Sequence, residues 1–183
     1  IMMAVASIFF IFSSLLQYFI DSRDISYIFF VISVAFVAFY FYDLGSKTLT
    51  FNLNLQRPLF RTFLVAGMSF LILFLNRFYN RKHYKEMLIT FTAIPVLFLI
   101  LFLTNNGKSV AIDNLFLASL TVVIAGIVYG FICTIHEIKL GNKDSIPILV
   151  GFILGTLIAL HDIIYQAIGV MPFMWIQGIA FFA

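Results

Sequence analysis

The richest run of ionisable and polar side chains inside an apolar stretch of this sequence is His161-Asp162-Ile163-Ile164-Tyr165-Gln166. On a helix His161 and Tyr165 are four residues apart and share a face, and Asp162 and Gln166 share the face beside it. Counting 1.5 Å per residue from a helix start near Ile146, His161 lies ~22 Å along, in the outer third of a bilayer. A charged pair at that depth costs several kcal/mol if it meets lipid, so it should point inward and be partnered. The residues that topology carries to a similar depth are Arg61, Asp113, Asn114, Trp175 and Gln177. One reading makes these residues a polar, outward-facing ligand pocket with Arg61 as the counter-ion of Asp162. The plainer reading is that they lock helices together by hydrogen bonds and that Trp175 anchors the interface. A lone polar turn is more often glue than a receptor site, which favours the plainer reading.

Other chemistries lack their residues. A retinal protein needs a lysine in its last helix, yet all six lysines, Lys47, Lys82, Lys85, Lys108, Lys139 and Lys143, lie in or beside loops. Haem between facing helices needs paired histidines, but only His161 is deep, with His83 and His136 near helix ends. The run His136-Glu137-Ile138-Lys139-Leu140 opens like a zinc-protease motif and lacks the second histidine four residues on. Asp43 and Asp113 lie near membrane surfaces, which leaves Asp162 without a partner for an aspartyl dyad. No catalytic or metal constellation assembles, no cofactor is implied, and the chain reads as a non-enzyme.

The elements that position these residues follow from composition. With 63% hydrophobic and 10% charged residues and a mean hydropathy of +1.10, the chain has more apolar surface than 183 residues could hide in water. Measured against the ~20 apolar residues that cross a bilayer, it parses into seven helices at about 1–20, 26–42, 58–79, 87–104, 110–140, 146–168 and 172–183. The expected fold is therefore an all-α membrane protein, a single transmembrane domain. Pro58 suits a helix start, and Pro95 falls inside a helix, which membrane bundles tolerate. Between 48 and 58, Asn52, Asn54 and Gln56 alternate with Phe51, Leu53 and Leu55, a period that predicts an extended piece at the interface.

Seven basic residues, Arg23, Arg77, Arg81, Lys82, Lys85, Lys139 and Lys143, fall on one side and four, Lys47, Arg57, Arg61 and Lys108, on the other. The positive-inside rule then puts the amino terminus outside and the carboxyl terminus inside. This distribution faces lipid headgroups and not nucleic acid, despite the net charge of +3. Gly126 and Gly130, like Gly151 and Gly155, are four apart, a spacing that permits close helix contact. The 24 phenylalanines read as lipid-facing filler and core packing, and Tyr79 and Tyr84 as interface residues. Ile1 in place of an initiator methionine, and a seventh segment that stops mid-pattern, lead us to expect a portion of a longer polypeptide.

Residues 14–30, with Tyr18 before the first turn, Arg23-Asp24 in it and Tyr27 after it, resemble the first hairpin of the bacterial seven-transmembrane receptor region coupled to diverse intracellular signalling modules. His161-Asp162 followed by Gly169 is similar to that family's sixth helix. The resemblance implies a sensor in the bacterial cytoplasmic membrane, acting as a homodimer. It implies an extracytoplasmic small-molecule or carbohydrate ligand and a cytoplasmic effector domain in the same chain. A proton-coupled solute transporter using His161 and Asp162 is the alternative, although the two halves show no inverted repeat. The helix-locking reading predicts that His161→Ala and Asp162→Asn lose folded, monodisperse protein on size-exclusion chromatography. Folded variants that fail to respond would support a ligand site instead.

Overall fold

The computed structural model describes residues 11–13, 15–16, 18–20, 24–45, 53–80, 84–105 and 109–167. For 41–45, 53–58, 60, 84, 109–110, 112–113, 116, 155 and 158–167 it describes the backbone alone. The described residues form helices joined by turns, with no strand among them. The helices are α1 (Ile11–Ile20), α2 (Ser26–Gly45), α3 (Leu53–Phe78), α4 (Tyr84–Thr104), α5 (Ser109–Lys139) and α6 (Ser145–Ala167). Three of them contain stretches long and apolar enough to cross a membrane: Arg61–Phe78, Lys85–Thr104 and Leu117–Lys139. The expected segment 172–183 lies outside the described residues.

One expectation is overturned. From Leu53 on, the alternating stretch before Pro58 is helical and not extended, because α3 begins at Leu53 and not at Pro58, while 48–52 lie outside the described residues. Six residues of alternation cannot separate a strand from a helix, and backbone energetics decide between them. A lone extended segment leaves its amides without partners at the membrane, whereas continuing α3 by two turns pairs them internally. At 26 residues α3 is ~39 Å long, so it exceeds a ~30 Å hydrocarbon layer. Its first two turns precede the apolar window that opens at Arg61.

The chain divides into two units, with the boundary inside α5 between Gly126 and Ile127. In the first unit α3 is the central helix: 56% of its apolar window is buried, against 17% for that of α4. α2 packs antiparallel to it through ring pairs that step in opposite directions along the two helices. Phe30 meets Phe74, Phe36 meets Phe70 and Phe63, and Phe39 meets Phe63, with centroids 5.2–6.0 Å apart. Midway, the Ser33 hydroxyl donates to the Gly67 carbonyl at 2.7 Å. A Cβ on Gly67 would lie 2.6 Å from Val37 Cγ2 and 3.3 Å from the Ser33 carbonyl oxygen, so only glycine admits this crossing.

On another side of α3, Val65 packs with Phe98 and Phe102 of α4, and Leu115 and Val122 of α5 close over them. Gly126 of α5 receives Met68 and Ile72. In the second unit Phe152 of α6 lies over Gly130 and pairs with Phe131 at 5.6 Å. Gly126 and Gly130 thus sit at close helix contacts. Gly151 does not: a side chain there would meet open space.

α5 ends in a Schellman turn: Asn142 N–H donates to the Glu137 carbonyl and Gly141 N–H to that of Ile138, with Gly141 at φ +92°. The Gly67 and Gly126 contacts differ in what would have to move. At Gly67 two of the three obstructing atoms are backbone, whereas at Gly126 all three are side-chain atoms, Met68 Cγ and Sδ and Ile72 Cδ1. Gly67→Ala should therefore cost about 1–3 kcal/mol and Gly126→Ala less than about 1 kcal/mol. Denaturation in bicelles checks the order, and equal losses would contradict it.

Candidate functional site

The residues singled out from the sequence are distributed over both units. Arg61 is half-buried in the third turn of α3, deeper in its helix than a start at Pro58 implies. Asn114 is exposed in the second turn of α5, and Asp113 precedes it with its side chain outside the described residues. His161, Asp162, Tyr165 and Gln166 lie on the last two turns of α6, also with side chains outside the description. Trp175 and Gln177 lie outside the described residues altogether. No described contact joins these positions into a pocket. Among the described residues no three His, Cys, Asp or Glu side chains come together as a metal site.

What the structure does assemble is a polar seam along α3. Thr62, Val65, Ser69, Ile72, Asn76 and Tyr79 are spaced alternately by three and four residues, and none is more than 8% exposed. This is the a/d repeat of a helix packed along its whole length, and a polar side chain fills each a position. The Asn76 amide donates to the Ile72 carbonyl at 2.8 Å, one turn back in its own helix. Ser69 is fully buried, and among the described residues its hydroxyl has no hydrogen-bond partner. Tyr79, expected at the interface, is buried instead, edge-on to Phe78 with centroids 5.3 Å apart. The helix ends at Phe78, and the chain turns after Tyr79, where Asn80 adopts φ +47° and its N–H closes on the Arg77 carbonyl at 3.0 Å.

At that end of α3 a charged junction forms. Asp24 Oδ1 accepts the Ser26 N–H at 3.0 Å, capping α2, and the same oxygen lies 3.7 Å from Arg77 Nε. Both charges suit their helix ends, a carboxylate at the amino end of α2 and a guanidinium in the last turn of α3. Their side chains are 42% and 44% exposed, so solvent screens the pair and its Coulomb contribution is small.

The seam was readable in the sequence as Thr62, Ser69 and Asn76 at intervals of seven, but ionisable residues drew attention from these neutral ones. The Ser33 to Gly67 bond left no local signal, since it depends on which helices meet. Chemically the seam holds hydroxyl and amide groups buried inside a packed bundle.

No protein-family model matches this sequence, and no curated protein or solved structure is significantly similar to it. The seam generates its own test. Ser33→Ala removes a buried bond between helices and should cost about 0.5–1.5 kcal/mol, whereas Ser69→Ala removes only an unpartnered hydroxyl and should be neutral or stabilising. Equal destabilisation in bicelle unfolding would show that Ser69 is bonded after all.

Proposed function

We propose that this chain is the transmembrane part of a bacterial sensor. In this reading seven helices, amino terminus outside, carry an extracytoplasmic signal across the cytoplasmic membrane to an effector domain in the same polypeptide. The observation that carries the reading is the polar seam of α3. A helix whose only task is to hold a bundle is best packed with Leu, Val and Ala along its seam. Hydrogen bonds between membrane helices contribute on average only ~0.6 kcal/mol each, so Thr62, Ser69 and Asn76 add little hold over apolar side chains. They do allow α3 to trade partners between arrangements of similar energy, and a relay requires two such arrangements.

The resemblance at Tyr18, Arg23-Asp24 and Tyr27 supports the same reading, since Asp24 ties the turn before α2 to the end of α3. The ligand class it implies is a small molecule or carbohydrate, and the partners are the bilayer, the effector and a second copy of the chain. The competing transporter reading would use the seam as a wet path with His161 and Asp162 as its proton site.

Proton flux separates the two. Protein reconstituted in pyranine-loaded vesicles, under an imposed pH gradient and a valinomycin-set potential, should leak no faster than protein-free vesicles. Flux that Asp162→Asn abolishes would overturn the sensor reading.

A further inference from the structure

We infer that the Asp24–Arg77 junction is a charge latch that holds the end of the α2–α3 hairpin closed, with the Ser33–Gly67 crossing as the pivot behind it. Asp24 Oδ1 serves two groups at once, the Ser26 amide at 3.0 Å and Arg77 Nε at 3.7 Å. Through that one oxygen the first turn of α2 and the last turn of α3 are coupled, although 53 positions separate Asp24 from Arg77 in the chain.

The hairpin is held differently at the Gly67 crossing and at Arg77. At Gly67 the backbones touch, and the Ser33 bond is buried. At Arg77 the contact is an exposed ion pair longer than a hydrogen bond. From Gly67 to Arg77 is ten residues, a lever of ~15 Å, and between them the helices meet through ring pairs such as Phe30 with Phe74. Phe29, Phe74, Leu75 and Tyr79 are buried around the pair, so opening at this end is local fraying of the first turn of α2 and the last turn of α3 and not a parting of the helices. Ser26, fully buried and with its hydroxyl unpartnered among the described residues, begins the turn that opening would expose.

The latch deepens the sensor reading by naming its movable element, and rests on that reading only for its purpose. It is tested without a ligand, so its failure is distinct from a failure of the flux assay. Hydrogen exchange of the full-length protein in nanodiscs reads the amides of 26–29 and 75–78. Arg77→Gln leaves the Asp24 carboxylate free to cap Ser26, and Asp24→Asn keeps a capping oxygen but removes the charge. Each should raise exchange at both segments about fivefold, the scale of a half-exposed pair, and the double variant should do no more than either single one.

Arg77→Lys retains the charge and should stay near wild type. Raising NaCl from ~0.1 to ~1 M shortens the screening length from about 10 to about 3 Å and should reproduce the effect in the unmodified protein. If Arg77→Gln leaves 26–29 protected, or if salt has no effect there, the latch does not exist. Should a variant fail to insert, the salt series on the wild type decides alone.

Discussion

Inside hydrocarbon every backbone N–H and C=O must find its partner within its own helix, so helices can hold one another only through side chains and close backbone approach. In this protein the two means coincide at one place. Gly67 has no side chain, which lets α2 come near enough for the Ser33 hydroxyl to reach a carbonyl of α3 at 2.7 Å. That carbonyl has a second lone pair to share, so the helix loses nothing by it. The register of the hairpin follows, with phenylalanines pairing on either side of the crossing because the backbones are fixed at it. A larger residue at 67 would displace all of these rings together.

The remaining faces of α3 obey a different logic. Val65 packs on Phe98 and Phe102 of α4, Ile72 reaches Gly126 of α5, and Thr62, Ser69 and Asn76 are buried on the same helix at the alternate positions. Apolar packing sets the position of the seam, while the polar residues between widen the set of arrangements it tolerates. One helix thus carries a fixed contact and an adjustable one. Exposed apolar side chains lie on the outer helices instead, with Ile89, Val96, Leu97 and Ile100 of α4 and Leu117, Ile124, Val128 and Ile132 of α5 all more than half exposed. A surface of that composition is matched to lipid.

The helices themselves were legible because runs of Val, Ile, Leu and Phe near the length of a bilayer have few other outcomes. α5 and α6 lie within a residue of their expected bounds, since Asn105 and the Gly141-Asn142 turn punctuate the sequence clearly. The start of α3 was misread because Asn52, Asn54 and Gln56 alternate over too short a stretch, and Pro58 offered a false beginning. The site was less legible than the fold. His161 and Asp162 stand out by chemistry alone, whereas Ser69 and Asn76 matter through burial, which spacing reveals only once the helix containing them is known to be central. Contacts between helices, such as Met68 on Gly126, leave no trace in local sequence.

Helix ends are where backbone groups need outside partners, and the two turns described most fully meet that need by opposite means. The α5–α6 turn is closed by its own backbone, through Gly141 in the left-handed region and the Asn142 N–H on Glu137. Such a turn contains no charge on which its closure depends. The amino end of α2 is closed by a side-chain carboxylate that an arginine from another helix also holds. Ionic strength, a headgroup phosphate competing for Arg77 or a cation competing for Asp24 would therefore act on the second end and leave the first unchanged. A membrane surface supplies these competitors, so sensitivity to the environment is built into one end of the α2–α3 hairpin by the choice of a charged cap over a backbone one.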